Sequence, residues 1–170
     1  MSVLRPLAES DWPAVARIYA EGILDGDATF ESDVPGWEHF DETKVPAPRL
    51  VAQDADGAIE GWVAASAIST RAVYRGVIEH SVYVARTARG RGVGRALLLA
   101  FLEAAEQEGF WTVQSSIFVE NTASLRLHRS CGFRVVGRRE RIARAVVGPH
   151  AGRWRDTLLL ERRSRTLGAD

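Results

Sequence analysis

A single α/β domain, with a mixed sheet covered by helices, is the fold class predicted by three observations. The 170 residues are 46% apolar and 26% charged, with five Trp and six Pro; this is the composition of one soluble core, and a chain this long buries about 70% of the surface it exposes when unfolded. Strand-like and helix-like hydrophobic patterns follow one another along the chain. A glycine-rich turn from Arg89 to Gly94 joins a strand-like run to an amphipathic one, the kind of junction that presents backbone amides to an anion.

The elements follow in order. Val3 to Leu7 reads as a first strand. Ser10 and Asp11 mark the start of a helix with Pro13 in its first turn, and Trp12, Val15, Ala16, Ile18 and Tyr19 recur at helical spacing. Leu24 to Pro48, rich in Gly, Asp, Pro and Thr, reads as loop with one short helix over Trp37 to Phe40. Leu50 to Ala52 and Ile59 to Ile68 flank Asp54-Ala55-Asp56-Gly57 and form a hairpin. Val77 to Val84 is a strand. The next helix buries Leu97, Leu98, Phe101, Leu102 and Ala105 on one face and stops at Gly109. Trp111 to Val119 is a strand, Asn121 to Arg129 a helix closing at Gly132, and Phe133 to Val136 and Arg153 to Glu161 the last two strands. Residues 1–163 form one domain and residues 164–170 a tail.

Composition excludes several classes. The lone Cys131 has no partner for a disulfide and reads as a small buried apolar side chain; four scattered His show no zinc-ligand spacing, so no metal is expected. Met1 to Asp11 lacks the pattern of a signal peptide, and no apolar run approaches the roughly 18 residues of a membrane span. A cytoplasmic protein is the expectation. The net charge of zero hides an asymmetry: residues 1–84 carry 14 acidic and 6 basic side chains, residues 85–170 carry 8 and 16. Arginines among the glycines of residues 86–95 suggest a phosphate-bearing ligand. Nucleic-acid binding is the rival reading of the basic half.

In Arg89-Gly90-Arg91-Gly92-Val93-Gly94 the alternate glycines free backbone N–H groups to converge, and the following helix adds its own unpaired amides. The segment lacks the Gly-Lys-Ser/Thr ending of a nucleoside-triphosphate loop and the Gly-x-Gly-x-x-Gly spacing of a dinucleotide fold. On its own it also reads as a structural turn. It does not stand alone. Arg89-x-x-Gly92-x-Gly94 after Val82-Tyr83-Val84 resembles the pyrophosphate motif of the GNAT superfamily of N-acetyltransferases, and Asn121 to Phe133 resembles that superfamily's later helix. Glu79-His80-Ser81-Val82-Tyr83-Val84, Ala28-Thr29-Phe30-Glu31 and Gly152-x-Trp154-x-Asp156 resemble its phosphinothricin and methionine sulfoximine acetyltransferase group.

The resemblance covers residues 3–162. It implies a mostly antiparallel sheet of α+β type with one splayed parallel strand pair, acetyl-CoA as cosubstrate, a small-molecule amine as acceptor, and a homodimer. It places acetyl-CoA along Val82, Tyr83 and Val84, in the cradle of Arg89, Gly90, Arg91, Gly92, Val93, Gly94 and Arg95, and against Asn121 and Ser124. Asn121 is also a natural N-cap, and Ser124, Leu125 and His128 share its helix face.

Amine acetylation needs a neutral amine, oxyanion stabilisation and a proton for the departing thiolate. The resemblance sets Glu79 near the acceptor amine as base, with a salt-bridged surface Glu as the alternative. His80 points to the opposite strand face and reads as structural. His128 stands where many relatives carry a Tyr, and reads as acid, base or packed histidine. Arg71, Tyr74 and Arg75 border the implied acceptor pocket, where Arg75 is the first choice for a substrate carboxylate. Phe30 and Trp154 are candidate apolar walls, or core. The turn Ala145 to Gly152 is longer than the group's and lacks its Lys, and the segment Trp37 to Pro48 is shorter. The expected activity is direct acetyl transfer to the α-amine of a small amino acid or analogue. The alternatives are a peptide N-terminus or polyamine as acceptor, or a silent acyl-CoA sensor.

Overall fold

The computed structural model describes residues 2–168. Its strands are β1 (Val3–Pro6), β2 (Leu50–Gln53), β3 (Ile59–Ala67), β4 (Val77–Val84), β5 (Thr112–Phe118), β6 (Arg134–Arg144) and β7 (Trp154–Arg163). Its helices are α1 (Trp12–Asp25), α2 (Trp37–Thr43), α3 (Val93–Gln107) and α4 (Thr122–Ser130). The strands form one sheet in the order β1-β2-β3-β4-β5-β7-β6, antiparallel throughout except between β4 and β5. The mixed, mostly antiparallel fold expected from the sequence is the fold observed.

Helix α1 begins just after Asp11, whose carboxylate accepts the Ala8 N–H at 2.9 Å and two guanidinium bonds from Arg5 at 2.7 Å. That clamp joins β1 to α1 and holds the Asp11 carboxyl below its ordinary range, chiefly through the Arg5 hydrogen bond. Gly26 ends the helix in the left-handed region, at φ 76°. Gly22 admits a close approach, since a Cβ there would lie 2.6 Å from the Tyr83 ring.

One face of the sheet is covered by α3, whose Leu97, Leu98 and Phe101 are fully buried. The other is covered by α1 and α2 through Val15, Ile18 and Phe40, which share one core cluster with Trp62 of β3, Phe40 standing edge-on to its ring at 5.6 Å. Each such side chain contributes about 1.5–3 kcal/mol on burial. Cys131 is buried in the same core.

Three elements exceed their sequence expectation by two residues or more, among them β7, which ends at Arg163 instead of Glu161. Helix α2 continues past Phe40 to Thr43, whose hydroxyl donates to the His39 carbonyl at 2.8 Å. Strand β6 runs to Arg144 instead of Val136. It is an edge strand, exposed along nearly its whole length, so apolar alternation cannot mark it; the β7 ladder and Asp156, which accepts from Arg138 and the Arg141 amide, hold it. After β7, Arg163 donates to the Leu167 and Gly168 carbonyls and folds the start of the tail back; residues 169 and 170 lie outside the described residues.

Candidate active site

The sheet splits at one place. Parallel pairing of β4 with β5 is confined to Val77–Thr112, Ile78–Val113 and Glu79–Gln114, while β4 stays paired with β3 to Val84 and β5 with β7 to Phe118. Beyond Glu79 the two strands therefore diverge, and backbone groups facing the gap lose their ladder partners. The divergence opens a cleft of about 520 Å³ lined by Val82, Tyr83 and Val84 on one wall and by Asn121, Ser124 and Leu127 of the α4 region on the other. The volume suits a small-molecule site.

The glycine turn closes the wide end. Gly90 and Gly92 have φ of 77° and 85°, and a Cβ on either would meet nothing within 4 Å, so both present bare backbone to the cleft. Among the described residues the amides of Gly90 through Arg95 donate to no carbonyl. With the N-terminal end of α3 they form an anion cradle. Arg89 is held by Asp25 at 2.7 Å, which also takes Arg86 at 2.6 Å. Arg95 lines the cleft, and Val93 is buried beneath it. The Arg91 side chain instead pairs with Glu60 and faces a different groove, while its backbone amide belongs to the glycine turn.

Alternation along β4 sends its side chains through both faces. Tyr83 packs on Tyr19 of α1 at 4.9 Å, and Glu79 shares its parity. Glu79 sits at the last paired step of the fork and accepts a hydrogen bond from Gln114 Nε2 at 2.7 Å. Lys44, which the sequence reading did not single out, donates to Ser66 Oγ at 3.0 Å, on the β3 residue paired with Glu79. Burial pulls the Lys44 ammonium below its ordinary range, against the attraction of Glu31 and Glu79. Its signal was available: Lys44 is the only lysine in the chain.

His80 and His128 occupy the other face, beside Phe101 and Phe133, and both are buried. Their Nε2 atoms are 3.0 Å apart. His80 Nδ1 lies 3.1 Å from the Gln114 carbonyl, and His128 Nδ1 lies 2.7 Å from the Ser124 carbonyl and 3.3 Å from its hydroxyl. Burial, with His128 beside it, pushes His80 down to about 3, and burial lowers His128 too. A narrow cavity of about 70 Å³ beneath the cleft touches His80, Ser115, Ser124 and His128.

Asn121 caps α4 by accepting the Ser124 N–H at 3.1 Å and donates to the Asp27 carbonyl at 2.8 Å. Buried Arg155 fixes that rim by donating to Gly26 O, Asp27 Oδ1 and Glu120 Oε2; nothing in its sequence neighbourhood marks it. Arg71 lies over the Tyr74 ring at 5.5 Å and Arg75 over Trp111 at 5.4 Å, all at the closed end of the fork. Phe30 packs edge-on against Phe118 at 4.7 Å and lines a small cavity under Val146 and Val147 of the β6–β7 turn. Trp154 is 58% exposed at the start of β7 and lines none of these cavities, so the structure does not bring it to the cleft.

A fork in a mixed sheet, closed by a glycine cradle, defines a class, and comparison with known proteins agrees with it. The sequence profile of the acetyltransferase (GNAT) family matches residues 12–133. The chain belongs to that family and is an N-acetyltransferase. It is 36% identical to phosphinothricin N-acetyltransferase of Alcaligenes faecalis, over 94% of this chain and 81% of that one. It is 31% identical to L-methionine sulfoximine/L-methionine sulfone acetyltransferase of Pseudomonas aeruginosa, over 93% and 92%. The crystal structure of a phosphinothricin acetyltransferase from Sinorhizobium meliloti in complex with acetyl-CoA superposes with a TM-score of 0.87 at 30% identity, covering 99% of this chain and 91% of that one.

Proposed function

We propose that the protein transfers the acetyl group of acetyl-CoA directly to the α-amine of a small amino acid or analogue of the methionine sulfoximine and phosphinothricin type. The observation that supports this reading is the fork: β4 and β5 part just after Glu79, and the cleft that opens there has Asn121 and Ser124 on its wall and His128 in the narrow cavity beneath. The glycine cradle fits a pyrophosphate, since its amides are free and its Cβ-less positions leave room for close approach.

Acetyl-CoA supplies the acetyl group as a thioester. Glu79, fixed by Gln114, takes the proton that the amine loses as its nitrogen forms the new C–N bond. Backbone groups left unpaired in the fork face the developing oxyanion. As the C–S bond breaks, the thiolate takes a proton from the His128 side. A free α-amine titrates near pH 8, so a carboxylate base suffices at neutral pH. Arg75, with Arg71 near it, meets the acceptor carboxylate, and Phe30 borders its side chain.

Thiol release should be measured with methionine sulfoximine, methionine sulfone, phosphinothricin, free amino acids, spermidine and a short peptide. Turnover led by the first three is expected, and Arg75→Ala should raise KM for carboxylate-bearing acceptors at least tenfold more than for their amides. Turnover only with spermidine or the peptide, or equal KM effects on acids and amides, overturns the reading.

A further inference from the structure

Lys44 is the charged group beside the fork that the mechanism above leaves unused, and its setting is well built. Its backbone is tied down from two sides. The Val45 N–H donates to the Ala65 carbonyl of β3 at 2.8 Å, and the Arg49 guanidinium donates to the Lys44 and Val45 carbonyls at 2.9 and 2.7 Å. Nζ lies 5.9 Å from the centroid of the buried Phe40 ring and donates to Ser66 Oγ at 3.0 Å.

An ammonium has three N–H donors, and one hydroxyl does not satisfy it. Among the described residues Lys44 forms no salt bridge, whereas Arg49 close by is paired with Asp41. Glu31 and Glu79 attract the ammonium and Arg49 repels it, but burial is the strongest influence and holds it below its ordinary range. A half-buried cation that has given up water without gaining a carboxylate partner is costly. An anion bound beside it would remove that cost.

The location points to the anion. Ser66 of β3 stands directly across from Glu79 of β4, so their side chains rise from one face of the sheet with Cβ atoms about 4.5–5.5 Å apart. Lys44 Nζ and the Glu79 carboxylate therefore flank one spot where the fork begins, and Lys44, Ser66 and Glu79 are only part-buried. An amine held at Glu79 brings the rest of a small amino acid within reach of Lys44, with Arg75 left for the α-carboxylate. We infer that Lys44 is a specificity-determining residue: it binds an oxyanion at the end of the acceptor's side chain, so that an amino acid with an anionic arm, a phosphinate or a carboxylate, is preferred to one with a neutral sulfone. The substrate part of this rests on the acetyltransfer reading, whereas the anion site can be tested by binding alone.

Lys44 is the only lysine of the chain, so protein labelled with carbon-13 lysine carries a single lysine Cε signal. With CoA present, saturating phosphinothricin should move that signal and raise the pH at which it titrates, because an oxyanion favours the charged ammonium; glutamate should act in the same direction, and methionine sulfone should leave the midpoint in place. A midpoint that phosphinothricin leaves unmoved, or that methionine sulfone moves equally, overturns the inference. Lys44→Met keeps the side-chain length and should raise KM for phosphinothricin about tenfold or more beyond its effect on methionine sulfone, with KM for acetyl-CoA within about twofold, while Lys44→Arg restores most of the preference. Equal effects on both acceptors in a folded Lys44→Met protein overturn it too. Turnover of the panel with an unmoved Lys44 signal refutes this site and leaves the acetyltransfer reading standing; a moved signal with no amine acetylated does the reverse.

Discussion

Glu79 is held by a single amide, Gln114 Nε2 at 2.7 Å, and stands where the strands part. A carboxylate there can serve as base only while ionised, and Lys44 reaches the same part of the sheet through Ser66, the β3 residue paired with Glu79. Glu79→Gln keeps the size and the fork but removes the basic oxygen. It should lower kcat about tenfold to a hundredfold with acetyl-CoA affinity unchanged, as steady-state kinetics beside calorimetric titration would show; full activity across pH would remove Glu79 as base. At this scale the sequence was partly legible. Glu79, Asn121 and His128 stood out because motif and chemistry coincided, whereas Lys44 and Arg155 did not, because each acts through neighbours distant in the chain: Ser66 for one, Gly26, Asp27 and Glu120 for the other.

The elements that were easiest to read are those with one buried face. Helix α3 repeats Leu97, Leu98, Phe101, Leu102 and Ala105 at helical spacing, and each of these is buried. Strand β6 was read too short because both its faces are wet, so its pairing with β7 leaves no periodic trace. The glycine turn was legible for another reason: left-handed backbone leaves a mark in the residue type itself. Gly92→Val tests that turn as an element. A branched side chain is strained at φ 85° and would project into the space the cleft needs. Binding of acetyl-CoA should weaken at least tenfold in calorimetry while the far-ultraviolet dichroism spectrum stays that of the wild type; unchanged affinity would refute the cradle.

For the whole molecule the buried histidines set a pH signature. The folded-state value of His80 lies at about 3, below the unfolded value near 6.5, so the unfolded chain binds the proton first. Stability is full above about pH 6.5 and falls progressively as the pH drops toward 3, and the lowered carboxyl of Asp11 adds its loss at the acid end of that window. Urea midpoints measured from pH 8 to pH 4 should begin to decline near pH 6.5, before ordinary carboxylates titrate. A flat curve down to pH 5 would contradict this. The three rungs between β4 and β5 have one more consequence. Among the described residues they are the only ladder joining a four-stranded half, β1 to β4, to a three-stranded half, β5 to β7. The seam of least backbone cohesion in the sheet thus runs into the cleft proposed for the chemistry. A ligand lying in that seam acts as mortar between two halves, so occupancy and the mechanical unity of the fold rise together.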